Sequence, residues 1–204
     1  KFTELGLKPE ILEQLEKQGI RETTPIQEKA LPEILKGKDA VGQSETGSGK
    51  TIAFALPILE KIHRGRGLQA LILTPTRELC VQVKDAFVGF GRNIGFITSV
   101  YGGVGINPQV QALQKADVVV ATPGRLCDHI QRGSINFNHL KFLVLDEVDK
   151  MFEMGFIDDV EEIIRHLPRE RQTLLFSATI SETIHGLIKR HLHNPVILKT
   201  KTMV

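Results

Sequence analysis

Short β-branched apolar runs separated by helix-periodic segments constrain this chain more than any other feature. The runs are Ala40-Val41, Ala70 to Leu73, Phe96 to Tyr101, Asp117 to Ala121, Phe142 to Leu145, Thr173 to Phe176 and Pro195 to Leu198. Helical patterns fill the intervals. The clearest places Phe156, Ile157, Val160, Ile163, Ile164 and Leu167 at spacings of three and four. Such alternation predicts an α/β fold, a mostly parallel sheet with helices on both faces. Parallel neighbours need long right-handed crossovers, which the helical intervals supply. A chain of 204 residues is one large domain or two very small ones. Residues 1–36 read as a helical preamble. Pro9 opens one helix over Ile11, Leu12 and Leu15, Gly19 closes it, and Thr24-Pro25 opens the next. This segment is expected to pack on the edge of the domain formed by residues 37–204.

Composition excludes several classes. Net charge is +2, so a polyanion would be held by local groups rather than by a global field. Two distant cysteines, Cys80 and Cys127, rule out a disulfide framework and a cysteine-rich zinc site. They fit a reducing, cytoplasmic setting. Asp or Lys interrupts every hydrophobic stretch, so no membrane span is expected. Lys1 to Gly6 shows no signal-peptide pattern.

A parallel sheet places ligand sites at the carboxyl ends of its strands, and the unusual residues cluster there. Ser44-Glu45-Thr46-Gly47-Ser48-Gly49-Lys50-Thr51 follows a short strand and precedes a helix. Gly47 and Gly49 let backbone N–H groups turn inward as an anion nest at a helix N-terminus. Lys50 can reach the β- and γ-phosphates of a nucleotide, and the Thr51 hydroxyl can ligate Mg²⁺. The strict pattern asks for Gly where Ser44 stands. Further on, Phe142 to Leu145 is a buried strand ending in Asp146-Glu147. Asp146 would hold Mg²⁺ through water, and Glu147 would deprotonate an attacking water. A solvated acidic turn is the alternative, since Asp149, Glu153, Asp158 and Asp159 follow. The phosphate loop and the carboxylate pair explain each other.

Thr24 to Gln27 has capping-box spacing. The Gln27 amide also has the donor and acceptor needed to match the N6 and N7 edge of adenine. The two readings can coexist. Pro75-Thr76-Arg77-Glu78 and Thr122-Pro123-Gly124-Arg125 each follow a strand and carry a hydroxyl and an arginine. Tyr101-Gly102-Gly103 ends a third strand. Three such turns point to a second phosphate surface beside the nucleotide. Ser177-Ala178-Thr179 ends another strand and reads as an N-cap for the helix that follows. His191 and His193, two residues apart, do not share a helix face and read as surface histidines.

Together these motifs resemble the N-terminal RecA-like lobe of a DEAD-box ATP-dependent RNA helicase, a P-loop NTPase, over essentially the whole chain and in the family's order. Gly19 to Gln27 is similar to the adenine-reading Q motif, and Phe2 stands where the family's upstream aromatic stacks on adenine. Ser44 to Thr51 matches motif I, Pro75 to Leu79 motif Ia, Gly102-Gly103 the double-glycine motif and Thr122 to Arg125 motif Ib. Asp146-Glu147-Val148-Asp149 matches motif II. Ser177 to Thr179 matches motif III, which ties hydrolysis to unwinding through Asp149. Val148 departs from the alanine that names the family, Ser44 and Glu45 from Ala and Gln, Thr23 from Pro and Ile20 from Phe. The resemblance implies ATP and Mg²⁺ as ligands, with Lys50, Asp146 and Glu147 as the catalytic set, and RNA gripped mainly through its backbone. It also implies a second RecA-like lobe with an arginine finger, which nothing after Thr179 resembles. The chain therefore reads as one lobe of a longer protein. A P-loop nucleotide kinase and a non-hydrolysing ATP-gated RNA clamp are the competing readings. Gln27 and the absence of an arginine-rich acceptor lid argue against the first, and Glu147 against the second.

Overall fold

The computed structural model describes residues 1–44 and 49–200. Seven strands form one sheet among these residues: β1 (Ala40–Gln43), β2 (Ala70–Leu73), β3 (Ile97–Val100), β4 (Val118–Ala121), β5 (Phe142–Leu145), β6 (Gln172–Ser177) and β7 (Val196–Lys199). Their order is β3-β4-β2-β5-β6-β1-β7, and every pairing is parallel. Each apolar run of the sequence became a strand, two with unchanged bounds and the others with ends moved by one or two residues. β2, β4 and β5 are buried along their whole length, as strands covered on both faces must be.

Alternate residues feed two hydrophobic cores. On one face, Ala40, Ile72, Val120, Val144, Leu174 and Phe176 pack beneath α1 (Pro9–Lys17), α2 (Pro25–Leu35), α3 (Lys50–Lys61) and α4 (Arg77–Gly91). On the other, Val41, Leu71, Val119, Leu143 and Leu175 pack beneath five further helices. These are α5 (Asn107–Leu113), α6 (Pro123–Arg132), α7 (Val148–Glu153), α8 (Ile157–Arg165) and α9 (Glu182–His191). The helical pattern read from Phe156 to Leu167 contracts to α8. Phe156 caps its start, and Leu167 lies beyond its end yet stays buried.

The preamble forms α1 and α2 and packs on one face, with α2 against β1 and the edge strand β7. Ile11, Leu15, Ile26, Leu31 and Ile34 belong to the same core as Phe54 and Phe87. A short 3-10 turn at Phe2–Glu4 folds Phe2 into this core, leaving its side chain 3% exposed. No helix among the described residues is long and apolar enough to cross a membrane.

Candidate functional site

The strand order sorts the functional turns into two neighbouring groups. β5, β6 and β1 lie side by side, and so do β3, β4 and β2. Because all strands run parallel, their carboxyl ends open on one side of the sheet. The first group presents Lys50, Asp146-Glu147 and Ser177 to Thr179. The second presents the turns at residues 74–78, 101–104 and 122–125. Main-chain bonds hold the turn starts in step: Ser44 N–H donates to Ser177 O (3.3 Å), Asp146 N–H to Leu73 O (2.9 Å), Thr74 N–H to Ala121 O (2.9 Å) and Thr122 N–H to Val100 O (2.9 Å).

In the first group, Gly49 is the N-cap of α3 with a left-handed backbone, φ 86°. A Cβ there would lie 2.6 Å from the Gln27 amide nitrogen, so glycine is required on both conformational and steric grounds. Gln27 is 1% exposed. Its Oε1 accepts from Thr24 N–H (3.0 Å), completing the capping box of α2, and its Nε2 donates to Gly49 O (3.0 Å). The amide thus ties the cap of α2 to the cap of α3. The predicted capping role is realised, and an amide carries two donors and two acceptor lone pairs, so it does not preclude a base contact. Phe2, buried in the core, offers no open ring face in this arrangement. Glu45, Thr46, Gly47 and Ser48 lie outside the described residues, and Thr51 is half-buried in the first turn of α3.

Lys50 enters the site from α3 and is itself buried. Its ammonium is 2.9 Å from Asp146 Oδ1 and 3.7 Å from Glu147 Oε1. Burial pushes the Asp146 carboxyl above its ordinary range, and Lys50 pulls it down without cancelling that effect. Glu147 adopts a left-handed backbone, φ 51°, which is uncommon for a non-glycine residue. Lys150, one turn later on α7, reaches back to 3.1 Å from Glu147 Oε1, and this hydrogen bond raises the Lys150 pKa. Glu147 therefore lies between two ammonium groups. Val148 packs in the apolar core with Met151, so its extra methyl groups are buried.

Ser177 and Thr179 do not cap the helix that follows. β6 continues through Ser177, and α9 starts at Glu182, so the N-cap is Ser181, whose hydroxyl accepts from Ile184 N–H (3.3 Å). The earlier pair binds Asp149 instead. Ser177 Oγ accepts from Asp149 N–H (3.2 Å) and donates to Thr179 O (2.7 Å), while Thr179 Oγ1 donates to Asp149 Oδ2 (3.4 Å). The ends of β5 and β6 are thereby stitched together.

In the second group, Pro75 is buried and Thr76 caps α4 by accepting from Leu79 N–H (3.2 Å). Arg77 and Glu78 are exposed, and the Arg77 guanidinium lies 4.9 Å over the Tyr101 ring, a cation–π contact joining two turns. Gly102 and Gly103 are exposed. Thr122 stands at the N-cap of α6 without a side-chain bond, Pro123 occupies the first helical position and Gly124 is exposed. Arg125 is only 14% exposed: its Nη1 donates to Val104 O (3.0 Å) and Gln109 Oε1 (3.2 Å). His191 is engaged by Glu161 (2.7 Å), and no group of three metal-ligating side chains occurs among the described residues. Sequence reasoning missed Lys150, Gln109 and His129. For Lys150 a signal existed, a cation three residues after an acid at a helix start.

An all-parallel sheet with a lysine at a helix N-terminus facing an Asp-Glu strand end defines a nucleoside-triphosphate-binding α/β domain of the P-loop, RecA-like kind. More particularly, the chain belongs to the DEAD/DEAH box helicase family, whose model matches residues 24–187. It is 46% identical over 204 residues to the DEAD-box ATP-dependent RNA helicase CshA of Geobacillus kaustophilus, covering 98% of this chain and 44% of that protein. It is 45% identical to the ATP-dependent RNA helicase DeaD of Buchnera aphidicola subsp. Schizaphis graminum, covering 100% of this chain and 34% of that one. A DEAD box protein from Methanococcus jannaschii superposes with a TM-score of 0.95 at 42% identity, over 98% of this chain and 56% of that one. The chain thus spans less than half the length of these two curated relatives.

Proposed function

We propose that this chain is the ATP- and RNA-binding first lobe of an RNA-dependent ATPase that parts short RNA duplexes or remodels RNA–protein complexes in the cytoplasm. The observation that carries this is the sorting of turns along the sheet, nucleotide chemistry at β5-β6-β1 and three backbone-presenting turns at β3-β4-β2. Both surfaces share one rigid scaffold, so a partner lobe closing on one closes on the other.

The donor set suits a magnesium nucleotide. Mg²⁺ takes one or two protein oxygens and fills its remaining positions from phosphates and water, and Thr51 with Asp146 supplies a hydroxyl and a carboxylate. A bound magnesium nucleotide would supply the phosphoanhydride to be cleaved and the cation that screens its charge. Lys50 would transfer its ammonium from Asp146 to the β- and γ-phosphates. Residues 44–49 would supply backbone N–H groups, Gln27 would read adenine, and Phe2 would stack on the base after leaving its packed position. Glu147 would accept a proton from the attacking water at its carboxylate. Arg77, Glu78 and the backbones of Pro75-Thr76, Gly102-Gly103 and Thr122 to Arg125 would grip RNA phosphates and sugars. The Asp149–Ser177–Thr179 stitch would pass closure at the nucleotide to the rest of the lobe. An arginine finger is worth about 10³–10⁵ in rate, and the second RecA-like lobe would supply it.

RNA-stimulated ATPase of the full-length protein, compared with residues 1–204 alone, tests the reading. Stimulation only when both lobes are joined is expected, because the linker raises the effective concentration of the second lobe. ATP hydrolysis indifferent to RNA in the full-length protein would overturn it.

A further inference from the structure

Between the turn after β3 and the start of α6 lies a buried polar chain outside the matched motifs. Gln109, on α5, is 8% exposed, and His129, on α6, is fully buried. The Gln109 Nε2 donates to Tyr101 O (3.0 Å). Its Oε1 is 3.2 Å from Arg125 Nη1 and 3.0 Å from His129 Nε2. The other ring nitrogen, Nδ1, is 3.1 Å from Ser134 Oγ. The same Arg125 nitrogen donates to Val104 O.

These distances fix hydrogen positions. Tyr101 O is an acceptor only, so the nitrogen end of the Gln109 amide faces it. The oxygen end then faces both Arg125 and His129, and His129 Nε2 must carry the proton. Burial and the Arg125 guanidinium hold the His129 pKa below its ordinary value, which favours a neutral ring with its one N–H at Nε2; Nδ1 then accepts the single Ser134 hydroxyl proton in competition with the His129 carbonyl, 3.1 Å from the same Oγ. One amide thus holds the carbonyl preceding Gly102 and the arginine that grips the carbonyl following Gly103. A half-satisfied buried network is costly; this one is completed from both sides.

We infer that Gln109 and His129 are positioning residues that lock the Tyr101–Val104 turn and the Thr122–Arg125 turn into a single preorganised RNA-binding surface. The inference rests on the proposed RNA-binding role of those two turns. Neither residue needs to touch RNA: His129 has no exposed surface. Without the lock, Arg125 and the glycine turn would have to be ordered at the moment of binding, which weakens binding without altering the chemistry at Glu147.

The test uses the full-length protein with a fluorescent oligouridylate and ATP. Gln109→Leu and His129→Leu should each raise the KM for RNA by about fivefold, the loss expected from one or two buried hydrogen bonds. The KM for ATP and kcat at saturating RNA should stay at wild-type values. His129→Gln, whose amide nitrogen can stand where Nε2 stood, should restore most of the RNA affinity. Nitrogen-15 NMR of the wild-type imidazole supplies a measurement that needs no variant, and it should show the Nε2–H tautomer. Folded leucine variants with wild-type KM for RNA would overturn the inference, as would an Nδ1–H tautomer or a His129→Gln variant as weak as His129→Leu. A wild-type protein that binds no oligouridylate would overturn the RNA-binding role itself.

Discussion

Replacing Lys50 with methionine keeps the buried stem and deletes the ammonium, and the consequence for folding follows from its surroundings. The ammonium is 2.9 Å from a carboxylate that is 1% exposed and 3.7 Å from a second that is 3% exposed. Removing one partner of a buried ion pair typically costs about 3–5 kcal/mol, because the remaining charge is buried and uncompensated. Glu147 keeps Lys150 at 3.1 Å, so the lower end, about 3 kcal/mol, applies. For a domain of this size each kcal/mol shifts the midpoint by about 2–4 °C, so Tm should fall by about 6–12 °C at pH 7. The pH dependence has a definite sign. The folded-state pKa of Asp146 lies above its ordinary value, so the folded state holds this proton more tightly, and stability falls as pH rises through the folded pKa. Deleting Lys50 removes the group that pulls that pKa down. The deficit of Lys50→Met should therefore be full above the raised pKa and shrink as pH falls through it. Thermal melts of residues 1–204 between pH 7 and pH 5 measure this, and adding Asp146→Asn should recover at least about 1 kcal/mol. An unchanged Tm at pH 7, or a deficit that grows on acidification, would refute the reasoning.

Glu147→Gln should bind ATP nearly as the wild type does yet turn over at least about a hundredfold more slowly in the full-length protein, as loss of a general base requires; nucleotide titration alongside steady-state hydrolysis separates the two. Gln27→Ala removes a capping box worth about 1 kcal/mol of stability and should also erase the preference for ATP over GTP; a lower Tm with intact selectivity would leave capping as its whole role. Arg77→Ala should weaken RNA binding about equally for all sequences and flatten the slope of log affinity against log salt by roughly one, measured by fluorescence anisotropy. Thr179→Ala should leave ATP and RNA affinities near wild type and lower unwinding per ATP hydrolysed, read in a paired strand-displacement and hydrolysis assay.

The central strands β2, β4 and β5 were legible because each is an unbroken apolar run, as strands buried on both faces are; the flanking strands were legible from shorter apolar stretches bounded by turn residues. The capping box at Thr24 and the glycine at 49 were legible because both are local backbone chemistry. What failed was anything set by the distance between one element's end and the next one's start. Ser177 and Ser181 are equally plausible caps on paper, and only the length of β6 decides between them. The Arg125 environment was hidden for a related reason: its partner Gln109 comes from a different helix, and no spacing rule links them. Phe2 shows tertiary packing winning, since a lone aromatic near a chain end is drawn into whatever apolar cluster its turn can reach.

The left-handed backbone at Glu147 sets folding against chemistry at a single position. A non-glycine residue pays roughly 1–2 kcal/mol to adopt that conformation, and the Glu147 charge also raises the Asp146 pKa. Glycine or asparagine would relieve both burdens. A laboratory selection scored on melting temperature alone should therefore drift away from glutamate at residue 147, whereas a selection scored on ATP turnover should hold it there. Running the two in parallel from this sequence would show which demand keeps the carboxylate in place.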